Sequence, residues 1–192
     1  AFLAGELSEL RHKLQMQKHE LRDVLDKVRL LATHDELTGL PNRRQALEIF
    51  ALEERKAHRQ QASLCIGILD IDHFKQINDT RGHQAGDEAL RMFSNILCNP
   101  LRAGDVLARW GGEEFMLLLP ATTVNEAEHV IERMRQRSAD PKNWSEHPEL
   151  QVTFSAGLSA HVQDEPLDRA VARADAALYQ AKKTGRNRVV VA

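Results

Sequence analysis

The chain has 192 residues, of which 42% are hydrophobic and 28% charged, enough for one globular α/β domain with an appendage. Its formal net charge of −2 gives no electrostatic basis for binding a nucleic-acid polymer. Because no apolar run approaches the roughly 20 residues that span a bilayer and no signal peptide is visible, we expect a cytoplasmic fragment without direct membrane contact. The chain begins with Ala1 rather than Met, so we also expect it to be part of a larger sensor or membrane protein.

Residues 3–31 carry an apolar repeat with alternating spacings of four and three, the period of a coiled-coil seam. One seam position is the polar Gln17, and such residues can fix register and strand number. A single amphipathic helix lying on the domain would show a wider apolar stripe. We therefore predict a parallel dimeric stalk over residues 1–33 and a globular domain over residues 34–192. The seam positions are Leu3, Leu7, Leu10, Leu14, Gln17, Leu21, Val24, Val28 and Leu31.

The stretch after the stalk predicts a turn followed by a helix. Gly39 and Pro41 end one element, and Asn42 is placed to cap the next, which runs to about Gln60. The residues expected on the core side of that helix are Ala46, Leu47, Phe50 and Leu52.

Residues 63–71 are apolar almost throughout, which predicts a central strand covered on both faces. The run ends in Asp70-Ile71-Asp72, and carboxylates at the end of a buried strand are costly without a partner. Carboxylate and carbonyl oxygens are the ligands that Mg²⁺ prefers, so a metal is the natural partner. The alternative is that a carboxylate caps the following turn, which suits Asp72 better than Asp70.

Two cysteines, Cys65 and Cys98, lie within apolar runs and lack the spacing of metal ligands. Free thiols in such runs behave as small apolar side chains. We therefore predict two buried free thiols, consistent with a reducing cytosol.

Two polar segments, residues 74–79 and 82–87, precede a helix that runs to about Leu97. Their Asn78 and Asp87 suit a guanine base. An amide bonds the O6 and N3 regions of guanine, and a carboxylate accepts from N1–H and the exocyclic amine. Without further context, such residues are more often caps and turn residues.

A hairpin is predicted between a short strand at 106–108 and a second at 115–119 that Pro120 stops. Its turn contains Gly111 and Gly112, which let the backbone turn sharply and let a bulky ligand approach. Two adjacent carboxylates, Glu113 and Glu114, follow, and they suit a cation or a proton transfer. The alternative is a solvated hairpin tip whose two glutamates point to opposite faces.

The remaining elements alternate between helices and strands. We predict a helix that Thr123 or Asn125 caps and that ends near Ser138, then a polar loop over 139–149 and a strand over 151–158. A helix opens at Pro166 and ends before Gly185, and a last strand covers 188–191.

Five of these stretches, in this order, closely resemble the GGDEF family of diguanylate cyclases. The resemblance runs from about Asp35 to the C-terminus. Trp110 stands where the family usually has Tyr, and Glu113 stands at the Asp of the family name, and both are tolerated in its pattern. The matching stretches are residues 35–44, 70–79, 82–87, 109–115 and 181–187.

The resemblance implies an α/β (α+β) palm-like cyclase fold, with a central, mostly antiparallel sheet flanked by helices. It also implies that two GTP condense to cyclic di-GMP and two pyrophosphates in a homodimer, with two Mg²⁺ per site or Mn²⁺ as a substitute. The implied metal ligands are Asp70, the Ile71 carbonyl, Glu113 and Glu114. The implied substrate residues are Phe74, Lys75, Asn78, His83, Asp87, Gly111, Gly112, Lys182 and Arg186, with Glu113 and Lys75 catalytic.

An Arg-x-x-Asp pattern at Arg102 and Asp105, together with Arg133, resembles the family's inhibitory site for cyclic di-GMP. The alternative is an ordinary turn before a strand. For the domain as a whole, the alternatives are an inactive sensor that binds GTP or cyclic di-GMP, and a structural dimerisation module. The implied catalytic residues are all present, which favours the cyclase.

Overall fold

The computed structural model describes the backbone of residues 2–192 and the side chains of residues 11–192. The chain divides into two compact units, one up to His34 and one from Asp35 to Ala192. The first unit is a single 32-residue helix, α1 (Phe2–Thr33). Among the described residues, no helix is both long and apolar enough to cross a membrane.

The predicted seam of α1 is exposed wherever its side chains are described. Leu14, Leu21 and Val28 expose 65%, 61% and 56% of their surface, and Val24 and Leu31 are similarly open. Leu3, Leu7 and Leu10 lie outside the described side chains. A contiguous apolar stripe of this length marks an interaction surface.

The second unit is built on a five-stranded sheet of order β2-β3-β1-β4-β5. β1 pairs antiparallel with β3 and β4, β2 pairs antiparallel with β3, and only β4 and β5 are parallel. The prediction of a mostly antiparallel sheet is therefore confirmed. The strands are β1 (Leu64–Ile71), β2 (Val106–Gly111), β3 (Glu114–Pro120), β4 (Phe154–Ala160) and β5 (Val189–Val191).

The central strand β1 is buried over all eight residues, as predicted. Its side chains alternate between two core clusters, as the period-two geometry of a strand requires. Cys65 and Leu69 pack in one cluster, and Ile66 and Ile68 pack in the other.

Helices cover both faces of the sheet. Phe93 of α4 and Ile131 of α5 pack in the first cluster, whereas Phe50 of α2 and Ala174 of α6 pack in the second. A Cβ at Gly157 of β4 would collide with the Ala174 carbonyl, so glycine allows α6 to lie against the sheet. The helices are α2 (Arg43–Gln60), α3 (Phe74–Arg81), α4 (His83–Cys98), α5 (Val124–Ala139) and α6 (Leu167–Lys183).

The helix caps follow the sequence signals. The Asn42 side chain accepts from the Gln45 N–H at 3.0 Å, as predicted for the start of α2. Thr123 rather than Asn125 caps α5, because Glu126 completes a capping box with it. The short helix α3 was not predicted, since its polar residues show no apolar period.

Two packing predictions were wrong. Leu47 and Leu52 expose 42% and 45% of their surface. Around α2, Leu47 lies about 60° beyond the buried Phe50, and Leu52 lies about 120° or more from both Ala46 and Phe50. Cys98 is exposed because it is the last residue of α4, whereas Cys65 is buried and contacts the Thr122 carbonyl.

The segment between α5 and β4 also differs from the prediction. Instead of a polar loop, it forms two short 3₁₀ helices, Pro141–Trp144 and Pro148–Leu150. Trp144 is fully buried and donates its indole N–H to the Ser138 carbonyl at 2.8 Å. β4 begins at Phe154 and ends at Ala160, two to three residues later than predicted.

Candidate active site

The site begins at the end of β1, where Asp70 is only 7% exposed. Lys182, in the last turn of α6, places its Nζ 2.8 Å from Asp70 Oδ2. Burial raises the pKa of Asp70, Lys182 acts against that rise, and the charges of Glu113 and Asp72 add to it. The buried carboxylate is thus held by one ammonium group and repelled by its acidic neighbours.

Two further carboxylates come from the hairpin. Glu114 is the register partner of Asp70 across β1 and β3, and the Ile71 N–H donates to the Glu113 carbonyl at 3.3 Å. Burial raises the pKa of Glu114, and the charges of Asp70 and Asp175 raise it further. Negative charge therefore accumulates at this end of the sheet.

The predicted magnesium ligands fit a divalent cation by the chemistry of their donors. Carboxylate oxygens that repel one another at the end of a buried strand are stabilised by a cation between them. Within the side chains described, however, no three His, Cys, Asp or Glu groups are gathered closely enough to hold a metal ion. The assignment of Asp70, Ile71, Glu113 and Glu114 to the metal therefore stays a prediction.

The side chain of Arg109 fixes the hairpin turn by hydrogen bonds. Its Nε and Nη2 donate to the Gly112 carbonyl at 3.0 and 2.9 Å, and its Nη1 donates to both Asp35 carboxylate oxygens at 3.0 and 3.1 Å. Gly112 has a φ of +53°, which glycine adopts readily. The turn that carries Glu113 is thus fixed to the start of the domain.

The segment before α2 adds two more supports to the hairpin. The Arg109 N–H donates to the Pro41 carbonyl at 2.9 Å. The Arg43 guanidinium lies 4.4 Å from the centre of the Trp110 ring, a cation–π contact. These contacts explain why the stretches around Asp35 and Gly111, far apart in sequence, belong to one site.

The two residues predicted to recognise guanine are brought close together by α3 and α4. The Asn78 side-chain amide lies against Gly86, so closely that a Cβ at Gly86 would collide with it. Asp87 is the next residue along α4, and both Asp87 and His83 are exposed. Glycine at position 86 is therefore what allows the α3 amide to lie beside the α4 carboxylate.

The predicted phosphate residues lie on elements that border the carboxylates. Lys182 is already paired with Asp70, whereas Lys75 in the first turn of α3 and Arg186 after α6 are exposed. Phe74, predicted to contact substrate, is 8% exposed and packs in the first core cluster. It supports α3 from beneath.

The Arg-x-x-Asp pattern lies at the opposite end of β2. Arg102 Nε donates to Asp105 Oδ1 at 2.9 Å, and Arg102 Nη2 donates to the Pro120 carbonyl at 2.7 Å. Arg133 of α5 donates to the Pro100 carbonyl at 3.1 Å, so it reaches the same loop. The turn suggested by the alternative is also present, with the Asp105 N–H bonded to the Arg102 carbonyl.

Three contributors to the site could not be found from the sequence. Asp35 and Arg109 both lay in the matched stretches, but their pairing across 74 residues has no local signal. For Asp72 the sequence left a metal contact and a turn cap open, whereas its buried carboxylate accepts three hydrogen bonds from distant residues.

Comparisons with known proteins agree on the family. The model of the diguanylate cyclase GGDEF domain matches residues 32–188. Diguanylate cyclase DgcP of Pseudomonas aeruginosa is 40% identical over 194 residues, covering 99% of this chain and 29% of that protein. Response regulator PleD of Caulobacter vibrioides is 40% identical over 187 residues, covering 94% of this chain and 41% of PleD.

Solved structures show the same similarity. The coiled coil and GGDEF domain of DgcB from Caulobacter crescentus, in complex with c-di-GMP, has a TM-score of 0.85 and 30% identity, covering 97% of this chain and 99% of that one. Diguanylate cyclase SiaD of Pseudomonas aeruginosa, in complex with its activator SiaC, has a TM-score of 0.77 and 36% identity. The match covers 97% of this chain and 72% of the SiaD chain. The chain spans less than half the length of the two curated relatives named above. With the fold, the family model and these relatives in agreement, the chain belongs to the GGDEF domain family of diguanylate cyclases.

Proposed function

We propose that this chain condenses two GTP into cyclic di-GMP with release of two pyrophosphates. The observation that carries the proposal is that Asp70, Glu113 and Glu114 interact electrostatically at one end of the sheet, where Lys182 is ion-paired to Asp70. Basic residues and a pair suited to guanine lie on the adjoining helices and loop.

The residues divide the work of phosphoryl transfer. A ribose 3′-hydroxyl attacks the α-phosphorus in line, and pyrophosphate leaves. Lys75, Lys182 and Arg186 neutralise the triphosphate. Asp70, the Ile71 carbonyl, Glu113 and Glu114 would hold two Mg²⁺, which supply charge stabilisation to the attacking and leaving oxygens. Glu113 is the candidate acceptor of the hydroxyl proton, although metal coordination weakens a carboxylate as a base.

Selection of guanine is assigned to Asn78 and Asp87. Adenine at this site would leave their polar groups unpaired, which costs several kcal/mol, on the order of 3, when a site is built for such bonds. D87A should lose most of its preference for GTP over ATP, while N95A, at an exposed position of α4, serves as a matched control. Equal GTP use by D87A and the parent would remove Asp87 from recognition.

Dimerisation follows from the product, which contains two equivalent bonds while each protomer binds one GTP. Two protomers must therefore face one another with antiparallel substrates. The exposed seam of α1 fits a parallel coiled coil that raises the local concentration of the partner domain. DgcB, whose described fragment includes a coiled coil, supports this reading.

Feedback by the product is assigned to Arg102, Asp105 and Arg133. An arginine fork suits phosphate or the Hoogsteen edge of guanine, and the Asp105 carboxylate suits N1–H and the amine. Product bound at the far end of β2 would hold two domains apart, so inhibition would be non-competitive with GTP.

One assay tests the proposal directly. The purified chain is incubated with GTP and Mg²⁺, and cyclic di-GMP is detected by chromatography. Deletion of residues 1–33 should leave a mostly monomeric domain whose specific activity rises with protein concentration, because the encounter of two domains becomes bimolecular. GTP binding without product would favour the sensor instead, and concentration-independent activity of the truncated chain would contradict the dimer requirement.

A further inference from the structure

Asp72 is a buried carboxylate that the proposed reaction does not use. It is 6% exposed and follows the predicted metal ligands Asp70 and Ile71 at the end of β1. The Ser155 hydroxyl donates to its Oδ1 at 2.7 Å, and the Thr153 hydroxyl donates to its Oδ2 at 2.8 Å. The Asn187 backbone N–H also donates to Oδ2, at 3.0 Å. Both oxygens are therefore engaged by neutral donors, which suits a structural anchor rather than a metal ligand.

The loop after α6 is held in an uncommon backbone conformation. Gly185, Arg186 and Asn187 have φ values of +122°, +61° and +45° in succession. Asparagine tolerates the left-handed region, but arginine adopts it only when the surroundings impose it. This loop presents Arg186, one of the three residues that we assign to the triphosphate.

Hydrogen bonds at Arg186 and Asn187 keep this loop in place. The Arg186 N–H donates to the Ala181 carbonyl at 3.0 Å, and Arg135 donates to the Asn187 side-chain oxygen at 2.8 Å. The Asn187 N–H has Asp72 as its acceptor. Asp72 is thus the contact that joins the left-handed pair directly to the strand end carrying the predicted metal ligands.

The same carboxylate fixes the neighbouring strand. Thr153 and Ser155 lie at the start of β4, and the Asp72 N–H donates to the Thr153 carbonyl at 2.9 Å. Asp72 therefore connects three segments: the end of β1, the start of β4 and the loop that carries Arg186. A side chain that only capped the turn after β1 would not reach the other two.

We propose that Asp72 is a positioning residue that sets Arg186 against the β- and γ-phosphates of the nucleotide. The proposal rests on the function proposed above, because it takes the phosphate role of Arg186 from there. It assigns to Asp72 no contact with substrate or metal. Its effect must therefore pass through Arg186 and must appear only with nucleotides that carry the outer phosphates.

Calorimetry with two nucleotides separates this role from simple damage. One is 3′-deoxy-GTP, which lacks the attacking hydroxyl and cannot react, and the other is GMP, which lacks the outer phosphates. D72A and R186A should each lower the affinity for 3′-deoxy-GTP by about tenfold or more, which is the scale of one lost charge-assisted contact. The affinity for GMP should stay within about twofold of that of the parent. The double variant should bind no more weakly than R186A, because both changes remove one interaction.

Three results would overturn the proposal. An equal loss of affinity for both nucleotides in D72A would show general damage to the site. Multiplying effects of D72A and R186A would show that Asp72 acts independently of Arg186. The Asn side chain of D72N still offers an acceptor to the Asn187 N–H. If D72N nevertheless binds 3′-deoxy-GTP as weakly as D72A does, the charge of Asp72 matters and not its hydrogen bond to the loop. Our expectation is that D72N binds within threefold of the parent, as does the control S155A, which leaves Oδ2 untouched.

Hydrogen exchange provides a test on the parent chain, so it can be made even if D72A fails to fold. In the parent chain without nucleotide, the Asn187 amide should exchange slowly, because its acceptor is a buried carboxylate. Exchange as fast as that of the amide of the exposed Gly185 would contradict the anchor. If instead R186A binds 3′-deoxy-GTP as well as the parent does while the Asn187 amide is protected, the phosphate role of Arg186 fails and the anchor stands.

Discussion

An arginine–aspartate pair lies at each end of β2, and the two pairs differ in what they join. At the start of the strand, Arg102 pairs with Asp105 three residues away, and its side chain is 58% exposed. At the other end, Arg109 pairs with Asp35 across 74 residues, and its side chain is 16% exposed. Each arginine also donates to a backbone carbonyl near one end of β3, that of Pro120 or that of Gly112.

The Arg102–Asp105 pair closes a local turn, whereas the Arg109–Asp35 pair is a long-range contact, which we call the brace. The Arg102 pair closes a turn between residues three apart and leaves most of the Arg102 side chain in solvent, while the Asp105 side chain is only 4% exposed. The Arg109 pair joins the first residue of the domain to the turn that carries Glu113, and hydrogen bonds to charged groups contribute about 1.5–3 kcal/mol. We therefore expect the Arg109 end to govern turnover and the Arg102 end to govern response to a ligand.

The largest effect is expected at Glu113, on the turn that the brace holds. E113Q should lower product formation by about a thousandfold or more, because a proposed metal ligand and proton acceptor is lost. The amide is nearly the same shape, so the free energy of unfolding should change by less than about 1 kcal/mol. Cyclic di-GMP is measured by chromatography and unfolding by urea titration. Unimpaired turnover would remove Glu113 from the mechanism.

The brace itself should give the next largest effect. R109A should lower kcat by about 10- to 100-fold and the free energy of unfolding by about 1–3 kcal/mol, since the Gly112 carbonyl and the Asp35 carboxylate both lose their donor. Initial rates over a range of GTP concentrations separate kcat from KM, and urea titration measures stability.

D35N is the matched control for the brace, because it weakens the ion pair but leaves the two bonds from Arg109 to Gly112. It should lose less kcat than R109A. If D35N and R109A lose kcat equally, the hydrogen bonds to Gly112 do not position the turn and the ion pair alone matters. If neither variant loses kcat, the brace is only structural.

The brace also marks the limit of what the sequence could predict. β1 and the hairpin were predicted because an apolar run and a Gly-Gly turn are local signals. The pairing of Asp35 with Arg109 depends on packing between segments far apart, as does the burial of Trp144 in a polar stretch. The hydrogen bonds of Asp72 could not be predicted for the same reason, since its three donors lie more than 80 residues away.

The Arg102–Asp105 pair at the start of β2 should control inhibition with little change in basal rate. R102A should keep turnover within about twofold, lose inhibition by added cyclic di-GMP and accumulate more product. The Asp105 side chain is only 4% exposed and loses its arginine donor, so the free energy of unfolding should fall by about 1–3 kcal/mol. Progress curves with and without added product measure the effect. Equal inhibition of R102A and the parent, or no inhibition of the parent at micromolar product, would reduce the pattern to a turn.

The smallest expected effect is an acid sensitivity that the brace adds to folding. Burial alone raises the pKa of Asp35, but hydrogen bonds from Thr38 and Arg109 outweigh it and hold the pKa below its usual value of 3.8. A carboxyl whose pKa is lowered by folding contributes stability that is present above its unfolded pKa and is lost as pH falls through its folded pKa. Burial raises the pKa of Asp70 and Glu114, so these two groups act in the opposite direction.

Comparing the parent with D35N cancels their contribution, because both chains share it. The difference in free energy of unfolding, measured in urea, should favour the parent at neutral pH and shrink as pH falls below about 4. A difference that stays constant over that range would show that Asp35 keeps its unfolded pKa and that the brace acts by packing alone.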